Sequence, residues 1–166
     1  MKNEKTLFLF LFAVILGSVA LAQKAPQSPA VTTESSNVKV TYGQPSKRDR
    51  EIFGKLVPYG QVWRTGANAA TEVTFKNDVS FAGKSVKAGT YTLFTIPNAT
   101  EWTVILNSQL KQWGSYEYDK IKDKNVVEVS VKSMPTDSVW EKLTITAEDK
   151  QITIGWDNTM IHIPLK

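Results

Sequence analysis

From Asn37 onward the dominant pattern is alternation of apolar and polar side chains, and no stretch keeps apolar residues at helical spacing for three turns. Val38, Val40 and Tyr42 alternate with polar residues. So do Val73 with Phe75, Val79 with Phe81, and Val127, Val129 and Val131 with Glu128, Ser130 and Lys132. A period of two puts one face of an extended segment in a core and the other in water, which commits the chain to half-buried β-strands. Turn chemistry punctuates the pattern. Ala82-Gly83-Lys84 ends one run, Pro97 stops "KAGTYTLFTIP", and Glu148-Asp149-Lys150 separates Leu143, Ile145 and Ala147 from Ile152, Ile154 and Trp156 in the manner of a hairpin. "EWTVILN" and the terminal "MIHIPLK" add further strands. About eight or nine short strands, with turn signals roughly every 8 to 12 residues and no helices to make parallel crossovers, predict an all-β fold. The expected form is a single antiparallel β-sandwich, jelly-roll-like or Ig-like, over residues 37–166. "KRDREIFGK", residues 47–55, is compatible with one helical turn or with a charged loop.

The N-terminal segment follows different rules. Lys2 and Lys5 precede the uncharged apolar run Leu7 to Leu16, and Ala20-Leu21-Ala22 offers small residues at alternate positions. Residues 1–22 therefore read as a signal peptide cleaved between Ala22 and Gln23, with an apolar run too short for a bilayer span of about 20 residues. Export to the periplasm or beyond is expected, with no stable membrane span after cleavage. Residues 23–36, rich in Ser, Thr, Pro and Ala, read as a flexible lead-in.

Setting aside Lys2, Lys5 and Glu4 from the 20 basic and 16 acidic side chains leaves 18 and 15, a net charge of +3. The excess is spread along the chain rather than gathered into a stripe, which disfavours nucleic acid as a partner. With no cysteine in an exported chain, disulfides, Cys-based zinc sites and a thiol nucleophile are excluded, and the apolar core must supply the stability. His162, the single histidine, lies on the face opposite Ile161 and Ile163 and lacks a ligand-spacing motif. A surface or rim role is expected for it, and no metal or cofactor.

Two constellations remain. In "VWRTGANAATEVTF", strand alternation sends Trp63 and Arg64 to opposite faces, so Trp63 takes the core. Arg64 then either clamps a carboxylate or backbone carbonyls, with Glu72 as a candidate partner across strands, or offers its planar fork to an anionic ligand beside Asn68 and the Gly66-Ala67-Asn68 amides. In "QWGSYEYD", Trp113, Tyr116 and Tyr118 crowd a segment broken by Gly114. They either form a stacking platform for sugar rings or cap the open end of the sandwich.

The segments "LVPYGQVWRTGAN", "KAGTYTLFTIP", "EWTVILN" and "QWGSYEYD", in this order and spacing, resemble a secreted bacterial family, domain of unknown function 2911, common in Bacteroidota. The resemblance implies one β-rich domain with an envelope or extracellular address in a Gram-negative cell, and it implies no activity. A non-catalytic module that binds a glycan, a peptide or a small anionic ligand is therefore the leading expectation, resting on Arg64, Asn68, Glu72, Trp113, Tyr116, Tyr118 and Asp119. The alternatives are a carboxylate-based polysaccharide hydrolase using Glu72 or Asp119 near Arg64, and a structural envelope protein.

Overall fold

The computed structural model describes residues 27–166, so the signal peptide expected over residues 1–22 and its Ala22/Gln23 cleavage point lie outside the described residues. The strands in chain order are β1 (Ala30–Glu34), β2 (Val38–Gly43), β3 (Thr71–Phe75), β4 (Val79–Phe81), β5 (Lys84–Val86), β6 (Gly89–Ile96), β7 (Glu101–Asn107), β8 (Asn125–Glu148) and β9 (Gln151–Pro164). A short helix, α1 (Tyr118–Ile121), and a 3-10 turn (Lys122–Lys124) lie between β7 and β8. Seven strands form one antiparallel sheet in the order β1-β2-β3-β6-β7-β8-β9, curled into a half-barrel, and β4 pairs with β5 in a small second sheet. The fold is mostly β and antiparallel, as the alternation dictates.

The curl comes from the last two strands. The first part of β8 pairs with β7, Ser133–Pro135 pair with Thr159–Ile161, and Thr144–Glu148 pair with Gln151–Gly155. β9 turns back at Asp157 (φ 56°), so that Thr153 Oγ1 lies 2.9 Å from His162 Nδ1 and Leu165 N donates to Lys150 O at 2.7 Å. The far part of β8 thereby reaches the segment after β2, where Leu143 N donates to Pro45 O at 3.0 Å and Lys47 N to Glu141 O at 2.6 Å.

Inside the curl, Val38, Val40, Val73, Phe75, Val104, Ile152, Ile154 and Trp156 are among the buried residues of the main core. β6 and β7 are covered on both faces, because Phe94 and Ile105 point outward and join Ala70 and Ile121 in a second cluster under the segment 108–124. Asn107, fully buried at the end of β7, fastens that segment. Its Nδ2 donates to Ile121 O and to Asn125 Oδ1, each at 2.8 Å, and its Oδ1 accepts from Gln109 N at 2.8 Å.

Of the flexible lead-in expected over 23–36, residues 23–26 lie outside the described residues, and residues 30–34 are a strand instead. Ala30–Glu34 form β1, paired with β2 from Ala30↔Gly43 to Glu34↔Lys39. Val31 is its one large apolar side chain, and an edge strand with water on one side and no outer neighbour needs no buried period. Residues 47–55 are an irregular loop of turns, anchored by buried Ile52 and Phe53 and by a bridge from Phe53 to Val57. His162 is half-buried against Thr153.

Candidate functional site

The chain from Trp63 to Gly66 runs beside β6, with Thr65 and Gly66 buried. Trp63 is bound to Thr95 by a pair of backbone hydrogen bonds, 2.7 and 3.0 Å long. Its ring stacks on Trp156 at 6.1 Å and meets Phe53 and Trp102 edge-on. Arg64, half-buried, follows Trp63 in the chain. Arg64 Nε and Trp63 Nε1 both donate to Gly66 O at 3.2 Å, and the terminal guanidinium nitrogens make no hydrogen bond to the described residues. A Cβ at Gly114 (φ 73°) would lie 3.0 Å from Arg64 Nη1 and 2.6 Å from the Tyr116 ring. Glycine there lets cation and ring lie together against the backbone.

Arg64 lines a cleft of about 380 Å³ with Arg48, Arg50, Leu56, Trp63 and Trp156, and no acidic side chain among the described residues lines it. The loop that carries Arg48 and Arg50 is held at several points. Lys47 Nζ pairs with Asp157 Oδ2 at 3.2 Å, Arg48 N donates to Glu141 Oε1 at 2.9 Å, and Arg50 donates to Lys47 O (2.9 Å) and Ser46 O (2.6 Å).

A second cleft of about 370 Å³ is lined by Tyr42, Asn68, Ala69, Glu72, Lys111 and Trp113. The two clefts share Ser28 and Ala67, so they abut across one wall. Gly43 makes that wall possible. Ala67 N donates to Gly43 O at 3.1 Å, and a Cβ on Gly43 would stand 2.0 Å from Ala67 O. Asn68 Nδ2 donates to Ser28 O at 3.1 Å and holds the stretch before β1 against the same wall. Glu72 Oε1 accepts from Lys111 N at 2.9 Å.

Left-handed backbone gathers around the clefts, at Arg48 (φ 50°), Thr65 (φ 56°), Asn68 (φ 63°) and Lys111 (φ 59°). For a β-branched residue such as Thr65 this conformation is an outlier, with a cost of order 1–3 kcal/mol. Fully buried Thr65 is kept there by Thr95 Oγ1, 3.0 Å from its own Oγ1, and by Thr71 Oγ1, which donates to Thr65 O at 2.8 Å.

The candidate residues separate accordingly. Arg64 lines the first cleft; Asn68, Glu72 and Trp113 line the second, and Tyr116 lies beside Arg64. Trp113 is 63% exposed and Tyr116 75%, so neither caps the core. Tyr118 leaves the group. Its ring packs edge-on against Phe94 at 5.2 Å, its hydroxyl accepts from Asn125 Nδ2 at 2.7 Å, and burial raises its pKa above the ordinary tyrosine value. Asp119, 93% exposed and 3.9 Å from Lys122, lines neither cleft. Glu72 does not pair with Arg64, and no carboxylate among the described residues forms an ion pair with that arginine.

Sequence reasoning missed Arg48, Arg50, Leu56 and Trp156 as cleft residues. The first two stood in a segment legible only as charged, and Trp156 showed only the alternation of a core strand. No curated protein and no solved structure matches the chain. Residues 25–165, almost all of the described domain, match the family described as Protein of unknown function (DUF2911), and the chain belongs to that family.

Proposed function

We propose that the protein is an exported, non-catalytic binding module whose ligand presents an anionic group to the arginine-lined cleft. The observation that carries this reading is the convergence of Arg48, Arg50 and Arg64 on one cleft without an acidic lining residue. The ion pairs among the described residues engage Lys47, Lys87, Lys120 and Lys122, so none engages an arginine of the cleft. Converging like charges repel one another, and a bound carboxylate or phosphate relieves that repulsion while filling the planar fork of a guanidinium. The strained backbone at Arg48, Thr65, Asn68 and Lys111 points the same way, since strain of this kind collects at ligand sites. Glu72 is the one carboxylate that lines either cleft among the described residues, whereas glycosidase chemistry takes two, which favours binding over hydrolysis.

Calorimetric titration with methyl glucuronide and methyl glucoside, which differ in one carboxylate, tests the reading. The glucuronide should bind and the glucoside should not, with affinity falling as salt rises. The Arg48→Ala/Arg50→Ala double variant should weaken glucuronide binding by about tenfold or more, the scale set by losing one charge-assisted hydrogen bond. Equal behaviour of the two sugars, or unchanged affinity in the variant, would refute an anion site here.

A further inference from the structure

The two clefts abut but differ in character. The first brings together Arg48, Arg50 and Arg64 with no acid, whereas the second holds Glu72 and Lys111 amid Tyr42, Ala69, Ala70 and the exposed face of Trp113. We infer that the ligand is an oligosaccharide in which an acidic sugar adjoins an uncharged one, the acidic unit in the arginine cleft and the uncharged ring on Trp113. This deepens the anion-binding reading and rests on it.

The shared wall is thin. Ser28 and Ala67 belong to both clefts, and Gly43 lets Ala67 approach β2 so closely that a single Cβ would obstruct it. A chain-like ligand can therefore cross from one cleft to the other in one step. In the second cleft the lining charges balance, and the large exposed surface is an indole. A sugar presents one apolar face of C–H groups, which matches an aromatic face, and its hydroxyls remain free for polar groups at the rim. A second carboxylate in this cleft would meet Glu72, whose Oε1 accepts from Lys111 N. Asn68 lines this cleft at the wall, but its amide nitrogen is committed to Ser28 O, so it positions the wall rather than reaching for an anion.

The test compares five probes by calorimetry on the purified protein: methyl glucuronide, a hyaluronan tetrasaccharide in which glucuronate alternates with N-acetylglucosamine, tetragalacturonate with a charge on every sugar, uncharged cellotetraose, and a polyglutamate peptide. The hyaluronan tetrasaccharide should bind about tenfold tighter than methyl glucuronide and tighter than tetragalacturonate, and cellotetraose should bind least. Trp113→Ala, at an exposed side chain outside the first cleft, should erase the tetrasaccharide's advantage and leave glucuronide affinity unchanged. Glu72→Gln, which keeps an acceptor for Lys111 N, should improve tetragalacturonate binding selectively. If methyl glucuronide binds but the tetrasaccharide gains nothing, or keeps its gain in Trp113→Ala, the two-cleft inference falls and the anion site stands. Tighter binding of a polyglutamate peptide than of the tetrasaccharide would assign the surface to acidic peptides and overturn it equally. Loss of all glucuronide binding would remove the anion-binding reading itself.

Discussion

Arg64 spends one donor on Gly66 O and leaves its terminal nitrogens without a partner among the described residues. Its removal should therefore cost only about 0.5–1.5 kcal/mol, one ordinary hydrogen bond. Thermal unfolding of Arg64→Ala should show a midpoint lowered by roughly 1 to 6 °C. Loss of a clamp on a buried carboxylate would cost about 3–5 kcal/mol instead, so the same melt separates the two roles. That Trp63 packs against the core was legible, because alternation needs only neighbours in sequence. The company Arg64 keeps was not. Arg48 and Arg50 reach its cleft through a loop set by Lys47, Asp157 and Glu141, and pairs separated by more than ninety positions leave no local pattern.

Elements set where these residues meet. β2 delivers Gly43 to the wall between the clefts, and Gly43→Ala would drive a methyl group into Ala67 O unless the wall moves. Overpacking of this sort costs about 1–3 kcal/mol. The midpoint should drop by roughly 2 to 12 °C, and binding in both clefts should weaken together. On the other flank, Asn107 fastens the segment that bears Trp113, and Asn107→Ala would strip three hydrogen bonds from buried or half-buried partners. A loss of about 2–3 kcal/mol follows. Faster proteolysis between Ser108 and Lys124 than elsewhere in the variant would confirm that Asn107 holds this segment. Among the elements, β2, β3 and the start of β8 were readable because each has one face less buried than the other. β1 was not, since an edge strand of Thr and Glu shows no buried period. The outward burial of Phe94 and Ile105 became explicable only once residues 108–124 were seen to cover them.

Across the whole molecule, antiparallel β class followed from period and turns, but the half-barrel did not, because its closure depends on contacts between the ends of the chain. One such contact joins the turn after β1 to the turn between β8 and β9. Ser36 Oγ donates to Asp149 Oδ2 at 2.6 Å and Asn37 N donates to Oδ1 at 3.1 Å. The hydroxyls of Ser36 and Ser35, with the Asn37 amide, lower the Asp149 pKa from 3.8 to about 2. A carboxylate depressed on folding stabilises the folded state fully above its unfolded pKa, and that contribution is lost as pH falls through the folded value. Melting curves of the protein and of Asp149→Asn should therefore differ at neutral pH and converge as pH falls from about 4 to about 2. A gap that persists at the acid end would place the effect of Asp149 elsewhere.

The wall of both clefts includes Ser28, two positions before a strand held at the sheet's rim by β2 and by the bond from Ala147 N to Thr33 Oγ1. Rim strands open more often than central ones, and whatever binds only the closed form suppresses that opening by mass action. Occupancy of the clefts should thus be written into the deuterium uptake of Ala30–Glu34, which makes exchange at this one strand a ligand-screening signal that needs no knowledge of the ligand.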